Sequence, residues 1–351
     1  RMPLAVVFPT KVEQVQELMR LANEFQIPVI SRGAGTGVSG AVHVIDAAII
    51  LNLSKMNRIL EIRPQDEVAV VEPGVINHHL NLAVSEFGLM YAPDPASYKM
   101  STIGGNISTN AGGLRCAKYG VTRESVLGLD VVLADGSLIH VGKNTFKGVA
   151  GYDLTALFTG SEGTLGVIVR AVLRLRYLPV DERDVALIFE DLEGAVDGVQ
   201  RIAKARIHPA ILELIDHATM KVLDGQYGTA HAERGGAMLL VRLDGYGAEK
   251  EEAALREVFR NGSVRLSARD DESATALIDM RRTSRGDTKD DAYRTGEDVA
   301  VPKSHMVEYV HRVQQAAMRE QVQLRLISHA GDGNLHPTFF VDSSAGPNPL
   351  D

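Results

Sequence analysis

The chain has one cysteine, Cys116, no tryptophan, only 5% aromatic residues and no excess of positive charge in its 351 residues. A lone thiol cannot form an internal disulfide and leaves no cysteine framework for zinc, which fits a reducing, cytoplasmic setting; Cys116 reads as a small buried thiol. Lys and Arg number 37 against 45 Asp and Glu, a net charge of −8. With no global basic field, nucleic acid and an anionic bilayer are demoted as partners. No run reaches the roughly 18 uncharged apolar residues of a membrane span. The opening residues, Arg1 to Thr10, read as a strand running into a helix cap rather than as a secretory signal. What the chain does have is 33 glycines, and they are clustered.

Two domains are expected, 1–178 and 179–351. In the first, Val6-Val7-Phe8 reads as a strand, and Val12, Val15, Leu18, Met19, Ala22 and Phe25 recur at helical spacing behind a capping box of Thr10 and Glu13. Ile27 to Ile30 and Ala48 to Leu53 are β-like and flank a glycine-rich loop. A second amphipathic helix carries Ile76, Leu80, Val84 and Phe87, and residues from Pro93 to Gly120 are loop-rich. The Asp135-Gly136 pair predicts a hairpin between Asp130–Leu133 and Leu138–Val141. Beyond Pro179, strands and helices alternate as in an α+β domain whose antiparallel sheet is covered by helices on one face. The last hairpin is expected within Leu324–Phe340.

Gly35-x-Gly37-x-x-Gly40 matches the dinucleotide fingerprint, but a β-like segment follows where the Rossmann motif needs a helix. Bare backbone N–H groups in a loop between strands can still form an anion nest. A second loop, Gly104-Gly105-Asn106 to Gly112-Gly113, adds Ser108, Thr109 and Asn110 as neutral donors. Either loop alone is equally consistent with glycines that only make turns. Both together suit a large, polar, doubly phosphorylated cofactor.

The segments Arg32-Gly33-Ala34-Gly35-Thr36-Gly37, Pro93-Asp94-Pro95, Thr102 to Gly113 and Gly160-Ser161-Glu162-Gly163-Thr164-Leu165-Gly166 resemble, in order and spacing, the FAD-binding domain of the vanillyl-alcohol oxidase and p-cresol methylhydroxylase superfamily. Within it the likeness is greatest to FAD-linked 2-hydroxy-acid dehydrogenases, a group that includes the flavoprotein subunit of bacterial glycolate oxidase and the D-lactate dehydrogenases. The resemblance implies a two-part FAD-binding domain of p-cresol methylhydroxylase type followed by an antiparallel-sheet substrate domain. It implies FAD contacts at Arg32, Gly33, Ala34, Gly35, Thr36, Gly37, Ser39 and Gly40, at Pro93 and Asp94, and at Thr102, Gly104, Gly105, Asn106, Ser108, Thr109 and Gly112. Glu162, Gly163 and Ile168 complete the set. Ser39 and Gly40 stand where some relatives carry a flavin-tethering histidine, so noncovalent FAD is expected.

Near the end, His329-Ala330-Gly331-Asp332-Gly333-Asn334-Leu335-His336 joins two β-like runs. A two-residue Asp332-Gly333 turn would set His329 directly opposite His336, close enough for two imidazoles to share a metal. The alternative is a hairpin with two incidental surface histidines. In the resembled family this motif supplies two ligands of a divalent metal such as zinc, manganese or iron. A later segment there adds a carboxylate ligand and a base, so the substrate domain is expected to be incomplete at its C-terminus. Arg281, beside Arg282, resembles the family's substrate arginine and suits a bidentate carboxylate clamp, although a surface arginine pair reads equally well without that context.

The function implied is FAD-dependent oxidation of glycolate or a small D-2-hydroxy acid such as D-lactate to the 2-oxo acid. The metal on His329 and His336 would polarise the hydroxyl, a base would take its proton, and hydride would pass to flavin N5. An iron–sulfur or other electron-transfer subunit is the expected partner, with peripheral association at the inner membrane through it. Two alternatives stand beside this reading: an FAD enzyme of the same superfamily with another substrate, and a non-catalytic flavin-binding subunit of a larger complex.

Overall fold

A strand–helix–strand unit opens the chain. In the computed structural model, which describes residues 2–260, 264–267, 272–283 and 293–341, strand β1 (Ala5–Val7) leads to helix α1 (Val12–Glu24), then to β2 (Val29–Arg32) and β3 (Ile49–Asn52). The three strands form a parallel sheet in the order β1-β3-β2. Helix α1 begins later than its Thr10 signal, and Gln14 rather than Glu13 reaches back: its Oε1 accepts from the Thr10 and Lys11 amides at 2.8 and 3.2 Å. No helix follows the first glycine loop, whose residues 33–48 stay outside regular structure up to β3. The Rossmann arrangement is thereby excluded.

The chain continues through β4 (Ile59–Arg63), β5 (Val68–Val71), α2 (Asn77–Ser85), β6 (Leu89–Met90), α3 (Ile103–Ser108), α4 (Cys116–Tyr119), β7 (Val126–Val132), β8 (Leu138–Gly142), α5 (Leu154–Phe158), β9 (Val167–Arg174) and β10 (Arg176–Tyr177). A five-stranded antiparallel sheet runs in the order β4-β5-β9-β7-β8. The β7–β8 hairpin turns where the Asp135-Gly136 pair predicts it, with the Leu133 amide bonded to the Ser137 carbonyl. One sheet face packs Ala69, Val71, Leu129, Val131, Ala171 and Leu173 against Leu80 and Val84 of α2 and Ile103 and Ile107 of α3. Burying side chains of this size contributes about 1.5–3 kcal/mol each, and here it also seats α3, which sequence patterning leaves as loop.

Two compact units are distinguished, residues 1–113 with 119–178, and residues 114–118 with 179–351. The second contains β11 (Glu182–Phe189), α6 (Leu192–Lys204), β12 (Ile211–Asp216), α7 (His217–Tyr227), β13 (Ala237–Asp244), α8 (Ala248–Val258), β14 (Arg265–Leu266), α9 (Glu272–Thr283), β15 (Tyr293–Gly296), β16 (Val299–Ala300), α10 (Met306–Arg319), β17 (Gln323–His329) and β18 (Asn334–Val341). Its sheet runs β14-β11-β13-β12-β17-β18-β15, with β16 also on β18. Helices cover both faces rather than one. Val185, Leu187, Leu239 and Val241 pack with residues of α6, α8 and α10, while Ile188, Ile215, Met238 and Leu240 pack with α7 and α9. Every residue of β12 and β13 is buried, as a strand covered on both sides requires. Lys118 reaches Asp244 within this unit, and Cys116 is half-buried.

Candidate active site

The segment before β3 and the capped helix α3 approach closely. A Cβ placed on Gly33 would stand 2.2 Å from Thr102 Oγ1, so no larger residue fits there without displacing Thr102. Thr102 is the N-cap of α3, its hydroxyl accepting from the Gly105 amide at 3.3 Å. The Glu162 amide donates to the Ser108 carbonyl at 2.8 Å and the Gly160 amide to the Ile107 carbonyl at 2.9 Å, which ties the third segment to the end of α3. That third segment returns to the first, since a Cβ on Gly163 would lie 2.5 Å from Ser31 Oγ. Asp94 joins them through a close backbone approach to Gly113. Thus the segments around Gly33, Asp94, Thr102–Gly113 and Gly160–Gly163, far apart in sequence, converge in one unit.

Conformation and hydrogen bonding there are unusual. Asn110 and Glu162 hold left-handed backbone at φ 48° and 51°, a state that costs energy and is retained where surroundings enforce it. Asn106 is 2% exposed, and its Nδ2 has no hydrogen-bond partner among the described residues. A buried unpaired amide costs about 1–3 kcal/mol, so this donor on α3 is suited to a polar ligand. Arg32 lies with its guanidinium under Gly35. Pro93 is held from α2, with Asn77 Nδ2 donating to its carbonyl at 3.0 Å, and Asn81 bonds both the amide and carbonyl of Tyr91. These two asparagines, one helical turn apart, are supports that glycine counting misses. Gly40 begins a turn closed by the His43 amide, which donates to its carbonyl at 2.9 Å, and Ser39 directly precedes it. Ile168 lies on β9 with its side chain in the same core cluster as Ile103 and Ile107 of α3.

In the second unit, the hairpin register differs from expectation. His329 pairs with Asn334 and Ile327 with His336, so the loop is the four residues 330–333 rather than Asp332-Gly333 alone. The reason is a helical turn: the Asp332 and Gly333 amides both point to the His329 carbonyl, and Gly333 closes it at φ 84°. The histidines are therefore diagonal neighbours on one face, yet their rings still meet, 5.1 Å between centroids and nearly perpendicular.

Glu213, directly opposite His329 on β12, is the residue that sequence reading overlooks. Its Oε1 is 2.6 Å from His329 Nδ1 and its Oε2 is 2.8 Å from Arg281 Nε. Glu213 is 1% exposed and Arg281 2%. The available signal was a single acidic residue inside the apolar run Ala210–Ile215. Arg281 is thus buried beside the histidines and is no surface residue. Nearby, Asn334 Oδ1 is buried without a hydrogen-bond partner among the described residues. Two imidazoles are an incomplete donor set, and no group of three or more potential metal ligands occurs among the described residues.

Comparison with known proteins finds two family models on the chain. Residues 3–142 match the family model of an FAD binding domain, and residues 178–348 that of the C-terminal domain of FAD linked oxidases. The chain is 38% identical over 347 residues to the glycolate oxidase subunit GlcD of Bacillus subtilis, covering 97% of this chain and 74% of that protein. It is 35% identical over 333 residues to a D-lactate dehydrogenase of Archaeoglobus fulgidus, covering 94% and 74%. Substrate-bound p-cresol methylhydroxylase superposes with a TM-score of 0.79 over 97% of this chain and 75% of that one, at 21% identity, which speaks to the fold. The converged glycine segments with their unpaired Asn106 amide fit a flavin dinucleotide, and on the family matches and the identity to its members the chain belongs to the FAD-linked oxidases.

Proposed function

We propose that this flavoprotein oxidises glycolate or a small D-2-hydroxy acid such as D-lactate to the 2-oxo acid. The observation that carries the reading is the cluster of buried Arg281 and Glu213 with half-buried His329 and His336, in a chain whose relatives include a glycolate oxidase subunit and a D-lactate dehydrogenase. The substrate pairs a carboxylate with an adjacent hydroxyl, and the cluster pairs a guanidinium with imidazoles. Arg281, ion-paired through Nε to Glu213, would present its guanidinium to the substrate carboxylate. His329 and His336 would face the hydroxyl end and accept its hydrogen bond; oxidation sends the C2 hydrogen to the flavin as hydride and the hydroxyl proton to a base.

Gly33, Gly105, Ser108 and Glu162 and their neighbours would hold FAD, which when bound supplies the hydride acceptor at N5. The neutral loops suit a diphosphate through backbone amides. A divalent metal on His329 and His336 is the finer part of the reading, with ligands beyond these two needed to complete it. Reoxidation is assigned to an electron-transfer partner, a reading supported by the similarity to GlcD, a subunit of glycolate oxidase. Among the described residues no helix is long and apolar enough to cross a membrane, so any association with the inner membrane would run through that partner.

Turnover with an artificial dye acceptor tests the substrate class. Dye reduction with glycolate or D-lactate, and little with L-lactate, is expected; activity confined to substrates without a 2-hydroxy acid group would reject it.

A further inference from the structure

We infer that Glu213 is a positioning residue for the 2-hydroxy-acid site, one carboxylate that sets both the tautomer of His329 and the placement of the Arg281 guanidinium; this rests on the function proposed above. A carboxylate only accepts hydrogen bonds, so at 2.6 Å from Glu213 Oε1 the His329 Nδ1 carries the proton. The lone pair is then on Nε2, the nitrogen directed away from Glu213. Fixing one ring nitrogen in this way decides what the other can do.

The second oxygen binds a different element. Arg281 comes from α9, His329 from β17, and Glu213 from β12 stands between them, ion-paired to the first and hydrogen-bonded to the second. One rigid carboxylate therefore fixes the separation of the two groups expected to hold opposite ends of a small substrate.

A purely charge-neutralising role for Glu213 explains less. Helix α9 is docked independently: Arg242 pairs with both Asp184 oxygens at 2.7 Å, Thr275 of α9 donates to the same carboxylate at 2.7 Å, and Leu277 and Ile278 are buried. Neutralising Arg281 would also leave the second Glu213 oxygen without reason to face an imidazole across the ladder.

The test is the His329 tautomer, read by long-range proton–nitrogen correlation on histidine-labelled, FAD-loaded protein held in chelator so that no metal occupies Nε2, near about pH 8.5, where an ordinary imidazole is neutral. His329→Gln identifies the signal. The wild type should show Nδ1–H. The paired variant Glu213→Leu/Arg281→Met leaves neither charge buried alone, and in it the His329 signal should move to the Nε2–H form. Nε2–H in the wild type, or Nδ1–H retained in the paired variant, overturns the inference whether or not a 2-hydroxy acid reduces the flavin. In a second arm, Glu213→Gln should keep its flavin while the limiting rate of flavin reduction falls about 10- to 100-fold, the usual effect of losing a ligand-orienting partner. An unchanged limiting rate with lowered stability alone would also overturn it. A wild-type flavin that no 2-hydroxy acid reduces would count against the proposed function, and the tautomer would still decide the role of Glu213.

Discussion

At position 33 a methyl group would meet Thr102 Oγ1 at 2.2 Å, and that hydroxyl caps α3 through the Gly105 amide. Gly33→Ala therefore sets the new side chain against a cap worth about 1 kcal/mol, and FAD affinity should fall about tenfold or more, the equivalent of roughly 1.4 kcal/mol. Titration of the apoprotein with FAD measures it, and unchanged affinity would remove Gly33 from the cradle. Gly105→Glu adds both bulk and a negative charge beside the expected diphosphate and should abolish flavin binding, read as the flavin absorbance per protein. For the histidines the expectation runs the other way: His329→Ala and His336→Ala should each lower turnover on the order of 100-fold while flavin content stays near normal, since the glycine segments belong to the other unit. The two losses should be non-additive, because either removal disrupts one cluster. Additive losses would mean that the rings act separately.

Among the elements, α7 and the loop after it show how local hydrogen bonds set stability. Asp224 near the end of α7 accepts from the His231 and Ala232 amides at 2.8 Å and from Thr229. Burial pushes its carboxyl up, but these bonds and His231 outweigh that and hold it below its ordinary value. A depressed folded value means that the ionised form is favoured by folding, so the contribution is present above the unfolded value of about 3.9 and is lost as pH falls through the folded one. Asp224→Asn should lower the Tm by a few degrees at neutral pH, equivalent to about 1 kcal/mol, and the gap should close below about pH 4. A gap independent of pH would reject the ionised carboxylate as its source. Periodicity alone made α1, α6, α8, α10 and the β7–β8 hairpin legible, because each carries a clear apolar stripe or turn pair. Helix α7 was not, since its start rests on an Asp216 cap and Gly225 interrupts it. Helix α3 was hidden because two of its residues are glycines. The His329–His336 register failed by two residues because Asp-Gly suggests a tight turn, whereas here the loop folds as one helical turn. Glu213 was invisible to motif reading, since its partners lie 68 and 116 residues away in sequence.

Across the whole molecule, the converged glycine segments and the cluster of Arg281, Glu213, His329 and His336 fall on separate units, each with its own apolar core. Such a division lets flavin retention and turnover be perturbed independently. With Ser39 and Gly40 at the place of a tethering histidine, FAD is expected to be noncovalent: acid precipitation should leave the flavin in the supernatant, and flavin retained in the pellet would reveal a covalent link. The central claim is that a 2-hydroxy acid reduces this flavin, and anaerobic bleaching of the holoenzyme tests it without any assumption about the electron acceptor. Glycolate, D-lactate, L-lactate and D-2-hydroxyglutarate are added in turn while the flavin absorbance is followed. Rapid bleaching by glycolate or D-lactate, lost in Arg281→Met with the flavin still bound, is the result predicted; a flavin that stays oxidised with all four would contradict the account.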